Sequence, residues 1–86
     1  MTKIEELRKK IDLLDTQLLE LLHNRLSVVK DIDKVKKKLG LKPLDINRWN
    51  QILERELIHA DSLGLRREFI KKILNTIHEE ALLIQK

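Results

Sequence analysis

Arg25 interrupts a row of aliphatic side chains. Ile4, Leu7, Ile11, Leu14, Leu18, Leu21, Arg25, Val28, Ile32, Val35 and Leu39 follow one another at alternating steps of three and four, a spacing that puts them all on one stripe of an α-helix. A guanidinium in such a stripe needs a counter-charge or a way out, because burying it alone is costly. A carboxylate such as Glu20 or Asp31, an outward path along its own aliphatic stem, or an anionic ligand would each meet that need. Lys36 stands 11 positions further on. At about 100° per residue this returns it to within about 20° of the Arg25 face, about 16 Å along the axis. Two cations so spaced can grip opposite ends of one small anion. Their neighbours Lys34, Lys37 and Lys38 read as a solvated charged face.

Other polar residues extend this candidate site. Arg8 shares the face of Lys36 but lies about 42 Å from it and about 25 Å from Arg25 on the same helix. It joins them at one small molecule only if it comes from a second, antiparallel copy; alone, it reads as a surface residue paired with Asp12 at i+4. Arg48, in the first turn of a second helix, is a poor complement to the helix dipole, which favours either a binding role or a local pair with Asp45 or Glu54. Gln85 follows His78 and Ala81 on one side of a third helix. Its amide is a frayed end or an inward hydrogen-bonding group, and the local sequence favours fraying. His23, His59 and His78 lack ligand spacing, so no metal site is expected. No phosphate loop, nucleotide fingerprint or Ser/His/Asp order occurs.

The elements that would position these residues can be read from punctuation. No Gly or Pro falls between Thr2 and Leu39, Thr2 and Glu5 can form a capping box, and Gly40 with Pro43 behind it makes a stop. The first helix is therefore expected over residues 3–39, about 54 Å long. Asp45 is a good N-cap for a second helix that uses Ile46, Trp49, Ile52, Leu53, Leu57 and Ala60 on its apolar side and breaks at Ser62-Leu63-Gly64. A third helix runs from about Arg66 to the end, with Phe69, Ile70, Ile73, Leu74, Ile77, Ala81 and Ile84 inward. The expectation is an all-α chain, one long N-terminal helix and two shorter ones, in a single domain spanning 1–86.

Composition agrees with that reading. At 86 residues the chain is near the lower limit for one hydrophobic core, and 2% aromatic residues leave Leu and Ile to fill it. Two Gly, one Pro and 37% charged residues do not suit a sandwich or barrel. The lack of Cys excludes disulfides, zinc thiolates and a thiol nucleophile, and suits a reducing, cytoplasmic setting. No apolar stretch approaches the roughly 20 residues of a membrane span, and the first residues lack the apolar core of a signal peptide. A net charge of +4 gives modest attraction for anions. Two short helices cannot cover every apolar side of the long one, so a homodimer with paired long helices is expected.

Taken together, Leu7-Arg8-Lys9-Lys10-Ile11-Asp12, Leu14-Asp15, Leu21-Leu22-His23-Asn24-Arg25, Lys36, Asp45-Ile46-Asn47-Arg48 and Gln85 resemble the all-helical, AroQ-type chorismate mutases over nearly the whole chain. The resemblance implies an intertwined three-helix homodimer that takes chorismate to prephenate without cofactor or metal. It implies that Arg25 and Arg48 of one chain, with the partner's Arg8, hold the substrate carboxylates. Lys36 and Gln85 would donate to the ether oxygen, which makes Lys36, Gln85 and Arg25 the catalytic set. Asp45, Trp49 and Ala81 fall at further substrate-contacting positions. Three residues depart from the pattern. Trp49 stands where members commonly have a Glu that contacts the ring hydroxyl, Ala81 replaces a small hydroxyl residue, and Leu44 replaces a basic one. Indole N–H is a donor only, so Trp49 cannot accept that hydroxyl; it is either a hydrophobic anchor or a wall of the site. With one residue beyond it, Gln85 is loosely placed unless the chain is a piece of a longer fusion.

Three other readings remain. An isochorismate-pyruvate lyase has the same fold and an apolar residue at the Trp49 position. A non-catalytic helical dimer could regulate or dock a partner. A nucleic-acid binder would use Lys9, Lys10, Lys34, Lys37, Lys38, Arg66, Arg67, Lys71 and Lys72, but these are interleaved with acids and lack stacking aromatics, so neither nucleic acid nor membrane is an expected partner.

Overall fold

Thr2 begins the first helix as its spacing from Glu5 requires. Its hydroxyl accepts the Glu5 N–H at 3.2 Å, and Glu5 Oε2 accepts the Thr2 N–H at 3.4 Å, so two donors that a helix start leaves orphaned are satisfied reciprocally. Helix α1 then runs Lys3–Leu39, 37 residues without a break. Gly40 ends it at φ 68, and its N–H reaches the carbonyls of Lys36 and Lys37, a left-handed cap that residues with a Cβ adopt only under strain. Glu5 and Glu6 in the first turn and Lys36, Lys37 and Lys38 in the last complement the helix dipole. The computed structural model describes residues 2–42 and 45–85. Pro43 and Leu44, expected behind the first stop, lie outside the described residues, as do Met1 and Lys86.

Helix α2 spans Ile46–Ser62, started by Asp45, whose Oδ1 accepts the Arg48 N–H at 3.1 Å. It closes at Leu63, and Gly64 at φ 74 turns the chain toward α3, Arg67–Ile84. Arg66 occupies the N-cap of α3 with no side-chain hydrogen bond to the helix. The turn is braced by Arg67 on Asp61 at 3.2 Å. No strand occurs among the described residues, and no helix is long and apolar enough to cross a membrane.

Helix α3 is the common neighbour: it packs on α2 as an antiparallel pair and on α1. The resulting core is small, with Trp49, Leu57, Ala60 and Ala81 as its buried apolar members. The α1 stripe predicted to be an apolar seam lies open in the single chain. Leu7 is 44% exposed and Leu18 58%, because residues 2–21 have no helix beside them. Phe69 and Ile73, assigned to the inner side of α3, are likewise exposed, and so is Ile46 of α2; each sits where no second element of this chain covers it. The buried residue of α1 is Asp33, paired one turn on with Lys37 at 2.8 Å.

Candidate active site

Helix α3 packs on both α1 and α2, and residues of all three line one cleft. The cleft so formed has a volume of about 570 Å³, within the range of small-molecule sites. Three elements supply its polar groups. From the second half of α1 come Arg25 and Lys36; from the first turn of α2 come Asp45 and Arg48; from the last turns of α3 comes the Gln85 amide. The predicted i, i+11 pair on α1 thus opens onto the same cavity, with Val28, Val29 and Ile32 between the two cations as an apolar floor.

Local chemistry explains each placement. Asp45 spends one carboxylate oxygen on the Arg48 backbone, which fixes the start of α2 and with it the direction in which Arg48 leaves the helix. The expected contact between these two residues is therefore this backbone bond. Arg25 forms none of the ion pairs among the described residues, so neither Glu20 nor Asp31 neutralises it. Gln85 is not frayed. Its N–H bonds to the carbonyls of Ala81 and Leu82, and its side chain is half-buried in the cleft wall with Oε1 enclosed and unpartnered. An enclosed amide oxygen without a partner costs about 1–3 kcal/mol.

Trp49 combines the two roles left open for it: it is only 8% exposed, a hydrophobic anchor, and it also lines the cleft. Its ring stacks on His78 of α3, centroids 3.9 Å apart and planes 6° from parallel. Ala81, 5% exposed, leaves room beside that stack. The His78 imidazole has its pKa lowered below 6.5, first by burial and then by the positive field of Arg25, with Glu79 opposing weakly, so it is neutral at pH 7. Sequence reasoning passed over His78 as a residue of this site. The signal was present, since residues 78, 81 and 85 follow a helical face, but the stack depends on a residue of another helix.

Arg8 is the exception. It is exposed on the bare first half of α1, away from the cleft, and the expected pair with Asp12 is absent among the described ion pairs. No group of three or more metal-ligating side chains occurs among the described residues.

The chain is 40% identical over 53 residues to a chorismate mutase of Methanocaldococcus jannaschii, an alignment covering 62% of this chain and 54% of that protein. It is 30% identical over 81 residues to the T-proteins of Haemophilus influenzae and Enterobacter agglomerans, 94% of this chain but 22% of each relative. It therefore spans about a fifth to about a half of the length of these relatives. The pattern of the family described as chorismate mutase type II matches residues 7–86, and on that match this chain belongs to the chorismate mutase type II family.

Proposed function

We propose that the chain is a chorismate mutase domain, converting chorismate to prephenate in phenylalanine and tyrosine synthesis in the cytoplasm. We further infer that it acts as a homodimer with shared sites. The observation that carries the reading is the meeting of Arg25, Lys36, Arg48 and Gln85, from three helices, in one cleft of a family member.

The reaction is intramolecular: the ether C–O bond breaks as a C–C bond forms, and no proton, electron or group leaves the molecule. Catalysis then needs a folded substrate conformer and positive donors where charge develops. Arg25 and Arg48 suit the two carboxylates, which fixes the ends of the molecule. Lys36 and the Gln85 Nε2 suit the ether oxygen, whose negative charge grows in the transition state. Val28, Val29, Ile32 and Ile52 line the space between them, and their low polarity strengthens each charged contact. The partner's Arg8 would close the open side of the cleft. Support for the second copy comes from surface area: a compact monomer of 10.2 kDa exposes about 5,300 Å², whereas this chain exposes 7343 Å².

The buried Trp49 favours a second reading, an isochorismate-pyruvate lyase, because an apolar wall replaces an acidic one. Separate incubation of the purified chain with chorismate and with isochorismate decides between them. Rapid formation of prephenate is expected. Efficient release of salicylate and pyruvate would assign the lyase, and no turnover of either substrate would leave a non-catalytic helical dimer.

A further inference from the structure

The cleft is rich in donors and poor in acceptors. Arg25, Lys36 and Arg48 can only donate, and the Trp49 indole adds one more donor. Three lining side chains can accept. Asp45 stands exposed at the rim with one oxygen committed to the Arg48 N–H. Gln85 keeps its Oε1 enclosed within the protein and presents its Nε2, a donor, for the ether oxygen. His78 remains, half-buried, lining the cleft and held face to face with Trp49.

A substrate with a ring hydroxyl needs an acceptor on the wall it faces, or the hydroxyl is desolvated without a partner. We propose that His78, fixed by its stack on Trp49, is the hydrogen-bond acceptor that receives the substrate's ring hydroxyl and so helps set which ring the site takes. This rests on the reading of the cleft as a mutase or lyase site, since chorismate and isochorismate both carry such a hydroxyl. A neutral imidazole has one bare nitrogen able to accept. The stack fixes the ring plane, so the direction of that nitrogen is set before the ligand enters. Around it stand Arg25 and Lys36 from α1, Asp45 and Arg48 from α2, and Glu79 beside it on α3. Burial first, and the positive field of Arg25 second, keep the acceptor form present at neutral pH against the opposing charge of Glu79.

Protonation ends the role, because imidazolium donates at both nitrogens. The activity should therefore carry an acid limb that belongs to His78. The molecule provides its own reporter: Trp49 is the single Trp and there is no Tyr, and a protonated imidazole stacked on indole quenches its emission.

The test uses the full chain and whichever substrate it turns over, with His78→Phe, which keeps an aromatic stack but cannot accept, and His78→Gln, which restores an acceptor oxygen without a titration. His78→Phe is expected to lower kcat/KM about ten- to hundredfold. His78→Gln should retain most of the activity, lose the acid limb between pH 7.5 and 5, and lose the acid quenching of Trp49, with helicity unchanged. If His78→Phe stays within about twofold of the unsubstituted chain, or the limb survives in His78→Gln, His78 is not the acceptor although the functional reading stands. If the unsubstituted chain turns over neither substrate, that reading falls and this inference with it.

Discussion

Arg25 gives up a position that Leu or Val would fill with gain to packing, and that sacrifice is interpretable only from the cleft it opens onto. Truncation of a donor aimed at developing or fixed charge typically costs about 10² to 10³ in turnover. Arg25→Ala and Lys36→Ala are each expected to show a loss of that order, with far-UV circular dichroism and sedimentation unchanged; full activity would remove the residue from the site. Arg25→Leu sharpens the point, since it restores the apolar stripe. It should lose turnover while Tm holds or rises, a trade between stability and function. His78 carries the opposite kind of cost. Its folded pKa lies below the unfolded 6.5, so the unfolded chain takes up a proton first as pH falls. The stability present above pH 6.5 is then lost on passing down through the folded pKa. Urea unfolding at pH 7.5 and pH 5 should differ less in His78→Gln than in the unsubstituted chain.

The helices were legible because their ends are written in residues with local physics. Thr2, Glu5, Gly40 and Asp45 each do in the structure what their type and spacing predict, and α1 covers the expected 3–39. Thr2→Ala removes half of the capping box and is expected to cost about 1 kcal/mol, readable as a lower urea midpoint. Gly40→Ala isolates backbone strain: a Cβ there meets nothing within 4 Å, so the expected loss of about 1–2 kcal/mol comes from the left-handed conformation alone. The start of α3 was less clear, since Arg66 makes no side-chain cap and only Gly64 and the return of the apolar period mark it. The site was legible where its members share a helix, as Arg25 and Lys36 do. The Trp49 and His78 stack was not, because 29 residues separate them in sequence and only the packing of α3 on α2 brings the rings together. The local sequence of Gln85 favours fraying and only the family resemblance places it in the site, because the wall that holds it is built by other helices.

At the scale of the molecule, the shape is set by one helix. The extents are 57 × 24 × 16 Å and the radius of gyration is 16.5 Å, against about 12 Å for a compact chain of this length. Ile4, Leu7, Ile11, Leu14 and Leu18 line the bare half, and Arg8 sits among them with no cleft of its own. A second copy laid antiparallel would cover that stripe and bring its Arg8 to the open side of the first copy's cleft. The arrangement has a consequence that separate monomeric sites lack. In a mixed dimer of Arg8→Ala and Arg25→Ala chains, one site receives Arg25 from the first chain and Arg8 from the second and is whole, while the other lacks both. Random exchange puts about half of the chains into mixed dimers, so about a quarter of all sites are intact. Two preparations that are each nearly inactive should therefore recover about a quarter of full turnover after unfolding and refolding together. Sedimentation confirms that dimers are present, and differently tagged chains captured through both tags confirm that they are mixed. Captured mixed dimers with no recovered turnover would mean that Arg8 and Arg25 do not serve a common site across the interface.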